Sequence, residues 1–228
     1  AGEVVLQLNT EQNQSDRTYY ITADKARWLS LLDTEIQAGH TIAVPTNSLS
    51  AGKAIYRDIM NRHSTDANPL RVKIYSSETL AEEKRIHFGN VAQYWSDYDI
   101  LIYSPTVGPG ISFEAEHYDS IFPYFTNNSC TAETCSQMTR RIRNVSTKNT
   151  YVCIIADKNN LPTTAAGIRD RLYKNRESLS AEYGRSGLQA RLDARGHPVF
   201  EYETPYFKVF LQNEIVKNKS KNNFYREF

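Results

Sequence analysis

Residues 99–113, DILIYSPTVGPGISF, decide the fold of this chain. The segment begins at 99–103 with a continuous apolar run of the kind that parallel strands show when both faces of their sheet are covered. Hydroxyl residues and two glycines follow, and glycine lets the backbone turn tightly and approach a ligand closely. The pattern predicts a buried parallel strand that ends in a functional loop.

Helical and strand patterns alternate on both sides of this run. Helical periodicity is found at residues 23–38, after Ser48 or Ser50, from Ser77, at 91–95 and at 132–143. Strands are predicted at residues 40–45, 71–75, 99–103, 118–125 and 150–156. This alternation predicts an α/β sandwich of layers around a mostly parallel sheet.

The composition fits one ordinary domain with a small appendage, since 40% of the 228 residues are hydrophobic. The net charge of +1 excludes a polybasic binder but not nucleic acid, because one groove can be basic while the rest compensates. Beyond Pro162 the sequence becomes richer in basic and aromatic residues. We expect an α/β domain over 1–160 and a mainly helical C-terminal extension over 161–228, whose stripe Phe207, Phe210, Leu211 and Ile215 packs on the main domain.

The cysteine spacing and the hydropathy indicate the cellular environment of the protein. Cys130, Cys135 and Cys153 have no spacing typical of a disulfide framework or a zinc site, so we expect reduced thiols and no structural metal. No apolar run is long enough to cross a bilayer, and residues 1–9 lack a secretion signal. These features predict an intracellular protein without a membrane partner.

The first candidate site is Thr46-Asn47-Ser48, where a helix begins directly after a buried strand. Free backbone N–H groups beside hydroxyl and amide groups bind phosphate oxygens readily. Plain helix capping by Ser48 is the favoured interpretation of these residues in isolation. The nearby Gly52-Lys53 is not a phosphate loop, because the first glycine and the final Ser or Thr of that motif are missing.

The second candidate site is the loop after the deciding strand. Ser104 and Thr106 can donate to a nucleic-acid phosphate, while Gly110, Ile111 and Ser112 can face a nucleotide on the other side of the same loop. A tight turn would also explain the glycines.

The third candidate site lies in the predicted helix 132–143. Gln137 and Arg141 are expected to share one helix face, and Arg140 and Arg143 the neighbouring one. Three arginines in four residues usually form a solvated basic face. Here they stand between two apolar strands, and the planar guanidinium suits a transferred γ-phosphate.

In this order the three sites resemble motifs IV, V and VI of the second RecA-like domain of superfamily 2 helicases. More narrowly, Trp95-Ser96-Asp97-Tyr98-Asp99, Gly110-Ile111-Ser112-Phe113 and the tail 204–228 look like the herpesvirus origin-binding-protein type. Relatives of that type include helicase and primase-helicase proteins of large cytoplasmic DNA viruses. The common form of motif VI is Q-x-x-G-R-x-G-R, and here Arg140 and Arg143 replace its glycines and Asn144 replaces its last arginine.

The resemblance implies a RecA-like three-layer sandwich and assigns roles to the candidate residues. Three residues would face ATP, with Arg143 as arginine finger and Arg141 as second phosphate contact, together with Gln137. The loop Gly110, Ile111 and Ser112 would also face ATP. Contacts to the nucleic-acid backbone would come from Thr46, Asn47, Ser48, Ser104 and Thr106.

The sequence contains no phosphate loop and no Asp-Glu-x-x box. ATP and Mg²⁺ would therefore be held mainly by an N-terminal RecA-like domain of the same polypeptide, and this fragment alone would not hydrolyse ATP. The expected partners are single-stranded DNA or an unwinding duplex, and primase or other replication proteins. The expected location is the host cytoplasm for a large cytoplasmic DNA virus, and otherwise the nucleus.

Two other functions remain open at this point. The chain could be a catalytically inactive RecA-like interaction module in a replication complex. It could also be a stand-alone hydrolase or nucleotidase that uses His87, His117 or Asp119, although no nucleophile elbow or metal-ligand spacing supports this.

Overall fold

The structure of the chain is a computed structural model, and it describes residues 17–65, 67, 69–108, 110–175, 190–192, 194, 198–200 and 204–228. Its main sheet has seven strands in the order β1-β7-β5-β2-β4-β3, with β6 also paired to β7. Every strand pairing described in this sheet is parallel. The predicted three-layer α/β sandwich, the architecture that the RecA-like expectation requires, is therefore confirmed.

The strands of the main sheet are β1 (Thr18–Thr22), β2 (Ile42–Pro45), β3 (Val72–Tyr75), β4 (Ile100–Tyr103), β5 (Ser120–Ile121), β6 (Tyr124–Thr126) and β7 (Asn149–Ile155). The helices are α1 (Lys25–Gln37), α2 (Leu49–His63), α3 (Ala81–Gly89), α4 (Val91–Trp95), α5 (Ala132–Thr139), α6 (Ala165–Lys174), α7 (Pro205–Asn222) and α8 (Phe224–Glu227). A separate antiparallel pair is formed by β8 (Ala190–Leu192) and β9 (Pro198–Phe200).

Each face of the main sheet carries its own hydrophobic layer. On one face α1 and α2 bury Trp28, Leu32 and Ile55 against the apolar strands β2 and β4. On the other face Trp95 and Phe113 pack with residues of α5 and α8. Both faces of β4 are thus covered, which is the reason for its uninterrupted apolar sequence.

Side-chain caps set where the first two helices begin. Asp24 accepts a hydrogen bond from the Arg27 backbone N–H at 3.0 Å, so α1 begins at Lys25. Ser48 accepts from the Ala51 N–H at 3.3 Å, so α2 begins at Leu49. Of the two predicted caps for α2, Ser48 is the one used.

The predicted strand 118–125 is divided in two. β5 ends at Ile121 and β6 begins at Tyr124, because Pro123 has no N–H to donate to the sheet. The Pro123 carbonyl still accepts from the Cys153 N–H at 2.8 Å. Both pieces pair with β7 and act as one interrupted strand.

The helix predicted to start at Ser77 begins later, at Ala81. Residues 76–79 form a turn instead, in which the Ser76 N–H donates to the Thr79 hydroxyl at 3.0 Å and the Glu78 N–H donates to the Ser76 hydroxyl at 3.2 Å. Serine and threonine side chains compete with the helix for these backbone groups.

The edge strand β1 was not expected from the sequence. It pairs with β7 along its whole length, from Thr18 opposite Asn149 to Thr22 opposite Cys153. Its burial alternates only weakly, because an edge strand on the outside of the sheet covers little apolar surface.

The C-terminal extension is helical, as predicted, with the addition of the β8–β9 pair. Its apolar stripe on α7 packs on α6, through Ile168 and Leu172, rather than on the main domain as expected. The end of α7 does reach the main domain, where Ser220 accepts from the Ala132 N–H at 3.0 Å. Phe224 of α8 is buried in the main core.

We predict that Tyr118→Phe destabilises the chain by about 1–2 kcal/mol. The buried Tyr118 hydroxyl donates to the Trp95 carbonyl at 2.7 Å, and the variant leaves that carbonyl only the longer bond of 3.4 Å from the Tyr98 N–H. Urea unfolding measures the change. Tyr225→Phe, on a side chain that is 52% exposed, is the matched control, and equal stability of both variants would contradict the prediction.

Candidate nucleotide and nucleic-acid site

The two loops predicted to grip nucleic acid lie side by side at the carboxyl edge of the sheet. β2 and β4 pair in parallel with Pro45 opposite Tyr103, so residues 46–48 and 104–106 leave the sheet at the same level. The Thr46 N–H donates to the Tyr103 carbonyl at 2.9 Å and fixes their relative position. The structure thus brings these two groups of predicted residues together.

Within the first loop, Asn47 is used by the fold itself. Its side-chain amide donates to the Thr126 carbonyl at 2.6 Å and accepts from the Thr126 N–H at 2.9 Å. The same amide also donates to the Cys135 sulfur at 3.4 Å, and burial raises the pKa of that thiol. Asn47 therefore joins the end of β2 to the end of β6 and to α5.

The neighbours of Asn47 are also engaged locally. Thr46 is buried and its hydroxyl accepts from the Ser48 N–H at 3.2 Å, while Ser48 caps α2. The capping interpretation of Ser48 is therefore confirmed in this structure. The feature of this loop that is available to a ligand is its position at the start of α2.

The second loop presents its hydroxyls at the surface. Ser104 and Thr106 are half-buried, and the Ser104 hydroxyl donates to the Thr106 hydroxyl at 3.0 Å. The Thr106 N–H donates back to Ser104 at 3.3 Å. These bonds hold both hydroxyls on one side of the loop, next to the end of β2.

The residues predicted to face ATP line one surface pocket of about 370 Å³. Its walls come from two segments, the loop after β4 and the segment that follows α5. The lining residues are Gly110, Ile111, Ser112, Gln137, Arg140, Arg141 and Arg143. Gly110 has a φ of +88°, a left-handed conformation that glycine adopts without strain, so the loop can turn at the pocket wall.

The predicted helix 132–143 is wrong at its C-terminal end. α5 ends at Thr139, the chain then turns at Arg140 and Arg141, and Ile142 forms a parallel bridge with Phe113. The Phe113 N–H donates to the Arg141 carbonyl at 2.7 Å, and the Arg143 N–H donates to the Phe113 carbonyl at 2.8 Å. Gln137 and Arg141 therefore share no helix face and meet at the pocket by another route.

Arg141 joins the two walls of the pocket. Its guanidinium donates to the Gly108 carbonyl at 2.6 Å and to the Ile111 carbonyl at 3.1 Å. Burial lowers the pKa of this arginine from its ordinary value, and its Nε has no hydrogen-bond partner among the described residues. Arg140, Arg143 and Gln137 are exposed, and Gln137 donates to Glu133 at 3.3 Å.

Arg17 also contributes to the site, although it was not predicted from the sequence. From the start of β1 its guanidinium donates to the carbonyl of Thr139 at 3.0 Å, to that of Ile142, and to that of Arg143 at 2.6 Å. It also borders a second pocket of about 330 Å³, shared with Arg143. A lone arginine before an edge strand carries no motif, so only the folded contacts identify its role.

The residues proposed for a stand-alone hydrolase are spread over separate structural contacts. His87 bonds to the Tyr75 hydroxyl at 2.6 Å, His117 to the Tyr98 carbonyl at 2.9 Å, and Asp119 accepts from the Thr41 N–H at 2.9 Å. In the part of the chain that the structure describes, no cluster of three or more His, Cys, Asp or Glu side chains is arranged to hold a metal ion.

None of the described helices combines the length and the apolar character needed to span a membrane.

We predict that Asn47→Ala lowers the free energy of unfolding by about 2 kcal/mol, because the two backbone groups of Thr126 lose their partners. Urea unfolding measures it, with the exposed Asn213→Ala on α7 as control. Unchanged stability of Asn47→Ala, with a loss confined to strand binding, would show that this side chain acts on nucleic acid rather than on the fold.

Comparison with known proteins places the chain in a family. Over 221 residues it is 32% identical to the "Putative helicase/primase complex protein" of African swine fever virus, covering 96% of this chain and 21% of the relative. Over 156 residues it is 26% identical to the "Putative replication origin-binding protein" of Acanthamoeba polyphaga mimivirus, covering 68% of this chain and 18% of that protein. The chain thus spans about a fifth of the length of these relatives.

A family model described as "Origin of replication binding protein" matches residues 3–163. That match covers the whole parallel sheet, both strand-end loops and the arginine pocket. The chain therefore belongs to the origin of replication binding protein family.

Proposed function

We propose that this chain is the second, C-terminal RecA-like motor domain of a superfamily 2 replication helicase. In this role it grips the backbone of a DNA strand at the carboxyl edge of its sheet. It also supplies arginines to ATP that is held mainly by an N-terminal RecA-like domain of the same polypeptide.

One observation carries the proposal. The two segments that the motif order singled out, residues 110–112 and 137–143, form the walls of one pocket although about 25 residues separate them in sequence. The pocket concentrates three arginines, and a guanidinium binds phosphate through paired, charge-assisted hydrogen bonds. A triphosphate is the ligand class that such a pocket fits.

The donor set of the pocket matches a phosphate chain rather than a metal ion. Its lining contains arginines, a glutamine and a serine, and no carboxylate. Mg²⁺ prefers carboxylate and phosphate oxygens, so the protein ligands for Mg²⁺ would lie on the partner domain. This agrees with a sequence that has no phosphate loop and no acidic box.

Arg143 is the preferred arginine finger because its side chain is exposed at the pocket while its main chain is held on both sides. Its N–H donates to Phe113 and its carbonyl accepts from Arg17. A preorganised cation of this kind stabilises the charge that develops on a transferred phosphoryl group without further reorganisation.

Arg141 has a second role in the proposal. In this structure it bonds to the Gly108 and Ile111 carbonyls, and its Nε lacks an acceptor. A phosphate oxygen would offer the guanidinium a stronger partner than these neutral carbonyls. Rotation of Arg141 towards phosphate would break its bonds to Gly108 and Ile111. The conformation of this loop would then depend on whether a nucleotide is bound.

The strand-gripping loop and the pocket belong to one continuous segment. Residues 104–106 lie at the carboxyl edge, residues 110–112 line the pocket, and Phe113 is fixed in the core. Closure of two motor domains around ATP would therefore shift the residues that hold the strand, which is the basis of stepwise movement.

The printed names of the relatives support a role in DNA replication. Since these relatives come from large DNA viruses, we place the protein at a viral replication site in the host cell, with primase or other replication proteins as partners. An inactive interaction module is the second candidate, and the first experiment below separates the two.

We predict that Arg143→Ala reduces strand-stimulated ATP hydrolysis about 10³-fold in the longest natural polypeptide that contains this chain, while ATP binding is retained. Turnover with and without single-stranded DNA measures the loss. Arg27→Ala, exposed on α1 at the opposite sheet face, is the control and should keep normal turnover. Normal hydrolysis by Arg143→Ala would remove this residue as the finger, and no hydrolysis by the native polypeptide would favour the interaction module.

We predict that the chain binds single-stranded DNA with little sequence preference and that its affinity falls as salt rises, because backbone phosphates are the main contacts. Fluorescence anisotropy with labelled oligonucleotides of different base composition, over a range of salt concentrations, measures both properties. A salt-insensitive complex, or one that requires a particular sequence, would contradict the proposed grip on the backbone.

A further inference from the structure

We propose that the C-terminal end of α7 and the loop after β7 form an additional nucleic-acid contact, in which Lys221 and Lys158 bind phosphates of the strand held by the loops after β2 and β4. The ligand is the sugar-phosphate backbone of single-stranded DNA. This inference rests on the proposed function, because it extends the binding track of the same strand.

The end of α7 is fixed on the carboxyl edge of the main sheet. Asn127, directly after β6, donates through its side-chain amide to the Asp157 carbonyl at 2.7 Å and to the Lys221 carbonyl at 3.1 Å. Asn222 and the backbone of Leu161 exchange two hydrogen bonds, of 3.0 and 2.9 Å. The lysines of this helix end are therefore carried on a rigid support at the level where the strands end.

A chain of contacts leads from this helix end to the first strand-gripping loop. The Lys221 ammonium donates to the Asn128 carbonyl at 3.1 Å, and the Ser129 hydroxyl donates to the Asn47 carbonyl at 2.8 Å. Residues 127–129 thus lie between the extension and residues 46–48. The surface that they share is continuous.

Lys158 and Lys221 differ from the paired lysines of the extension in their electrostatic partners. Lys217 pairs with Glu214 at 3.0 Å, and Lys174 pairs with Asp170 at 2.9 Å. Across the described ranges, Lys158 and Lys221 form no ion pair with a carboxylate. Lys158 is exposed and Lys221 is half-buried, so their charges are available to an anion.

Charge is concentrated at this end of a nearly neutral chain. The whole sequence has a net charge of +1, whereas residues 214–228, including the Lys217–Glu214 pair, contain four basic and two acidic residues. A local positive field beside a groove attracts a polyanion even when the overall charge is close to zero. The sign of this field suits phosphate.

The dimensions are compatible with one strand crossing the whole edge. Neighbouring strands of a sheet lie about 4.8 Å apart, so the ends of β4, β2 and β6 span about 10 Å. A strand that crosses the β2 and β4 loops would next meet α7 and the loop after β7.

Continuity with the strand edge favours nucleic acid over an acidic protein segment as the ligand. A protein segment would need only the lysines, whereas a DNA strand uses the lysines and the neighbouring hydroxyl and N–H groups together. The experiment below treats an acidic polypeptide as an alternative outcome.

The test measures binding of the chain to a labelled oligothymidylate over a series of salt concentrations. The neutralised variant is Lys158→Gln with Lys221→Gln, and the charge-retaining variant is Lys158→Arg with Lys221→Arg. Lys174→Gln, on a paired lysine of α6, is the control. We expect the neutralised variant to bind more weakly and its slope of log K against log salt to decrease by about 1.4, at about 0.7 for each lost phosphate contact.

The outcomes separate this inference from the proposed function. If the native chain does not bind the strand, the proposed function fails. If the native chain binds and the neutralised variant keeps the native slope, or the Arg variant loses slope as the Gln variant does, only the present inference is overturned. An unchanged slope with weakened binding to polyglutamate would assign the lysines to an acidic protein partner instead.

Discussion

The backbone bridge between Phe113 and Ile142 is the constraint on which the candidate site depends. It consists of two hydrogen bonds, of 2.7 and 2.8 Å, that join the loop after β4 to the segment after α5. Phe113 is fully buried between aromatic neighbours, so it anchors both pocket walls to the core of the main domain. Together with the Arg17 hydrogen bonds and the burial of Ile142, the bridge fixes the position of the arginines relative to residues 110–112.

Periodic patterns made most of the fold predictable. The apolar run of β4 and the stripe Trp28, Leu32 and Ile36 on α1 each have the spacing that their burial requires. Prediction failed where a tertiary contact overrides local propensity. Nothing in the sequence of residues 140–143 opposes a helix, yet the chain turns at Arg140 and Arg141 and Ile142 pairs with Phe113. The edge strand β1 was not predicted because its side chains alternate only weakly between buried and exposed.

The family resemblance implied that residues 110–112 and 137–143 face one ligand, and in the structure both segments line one pocket. The bonds made by individual side chains were not predictable. Asn47 is used to join strand ends, and Arg141 donates to carbonyls, because both have polar backbone groups within reach that only the folded chain reveals. Arg17 contributes from a distant part of the sequence, which no local pattern could indicate.

The manner in which residues 139–143 are held has a consequence for sequence drift. Arg17 binds carbonyls of this segment, and Phe113 exchanges hydrogen bonds with its main chain. Every amino acid carries the same carbonyl, and all except proline carry the same N–H. Substitutions can therefore accumulate at these positions while the backbone path persists. The path of the backbone beside the pocket is thus compatible with side chains as large as those of Arg140 and Arg143.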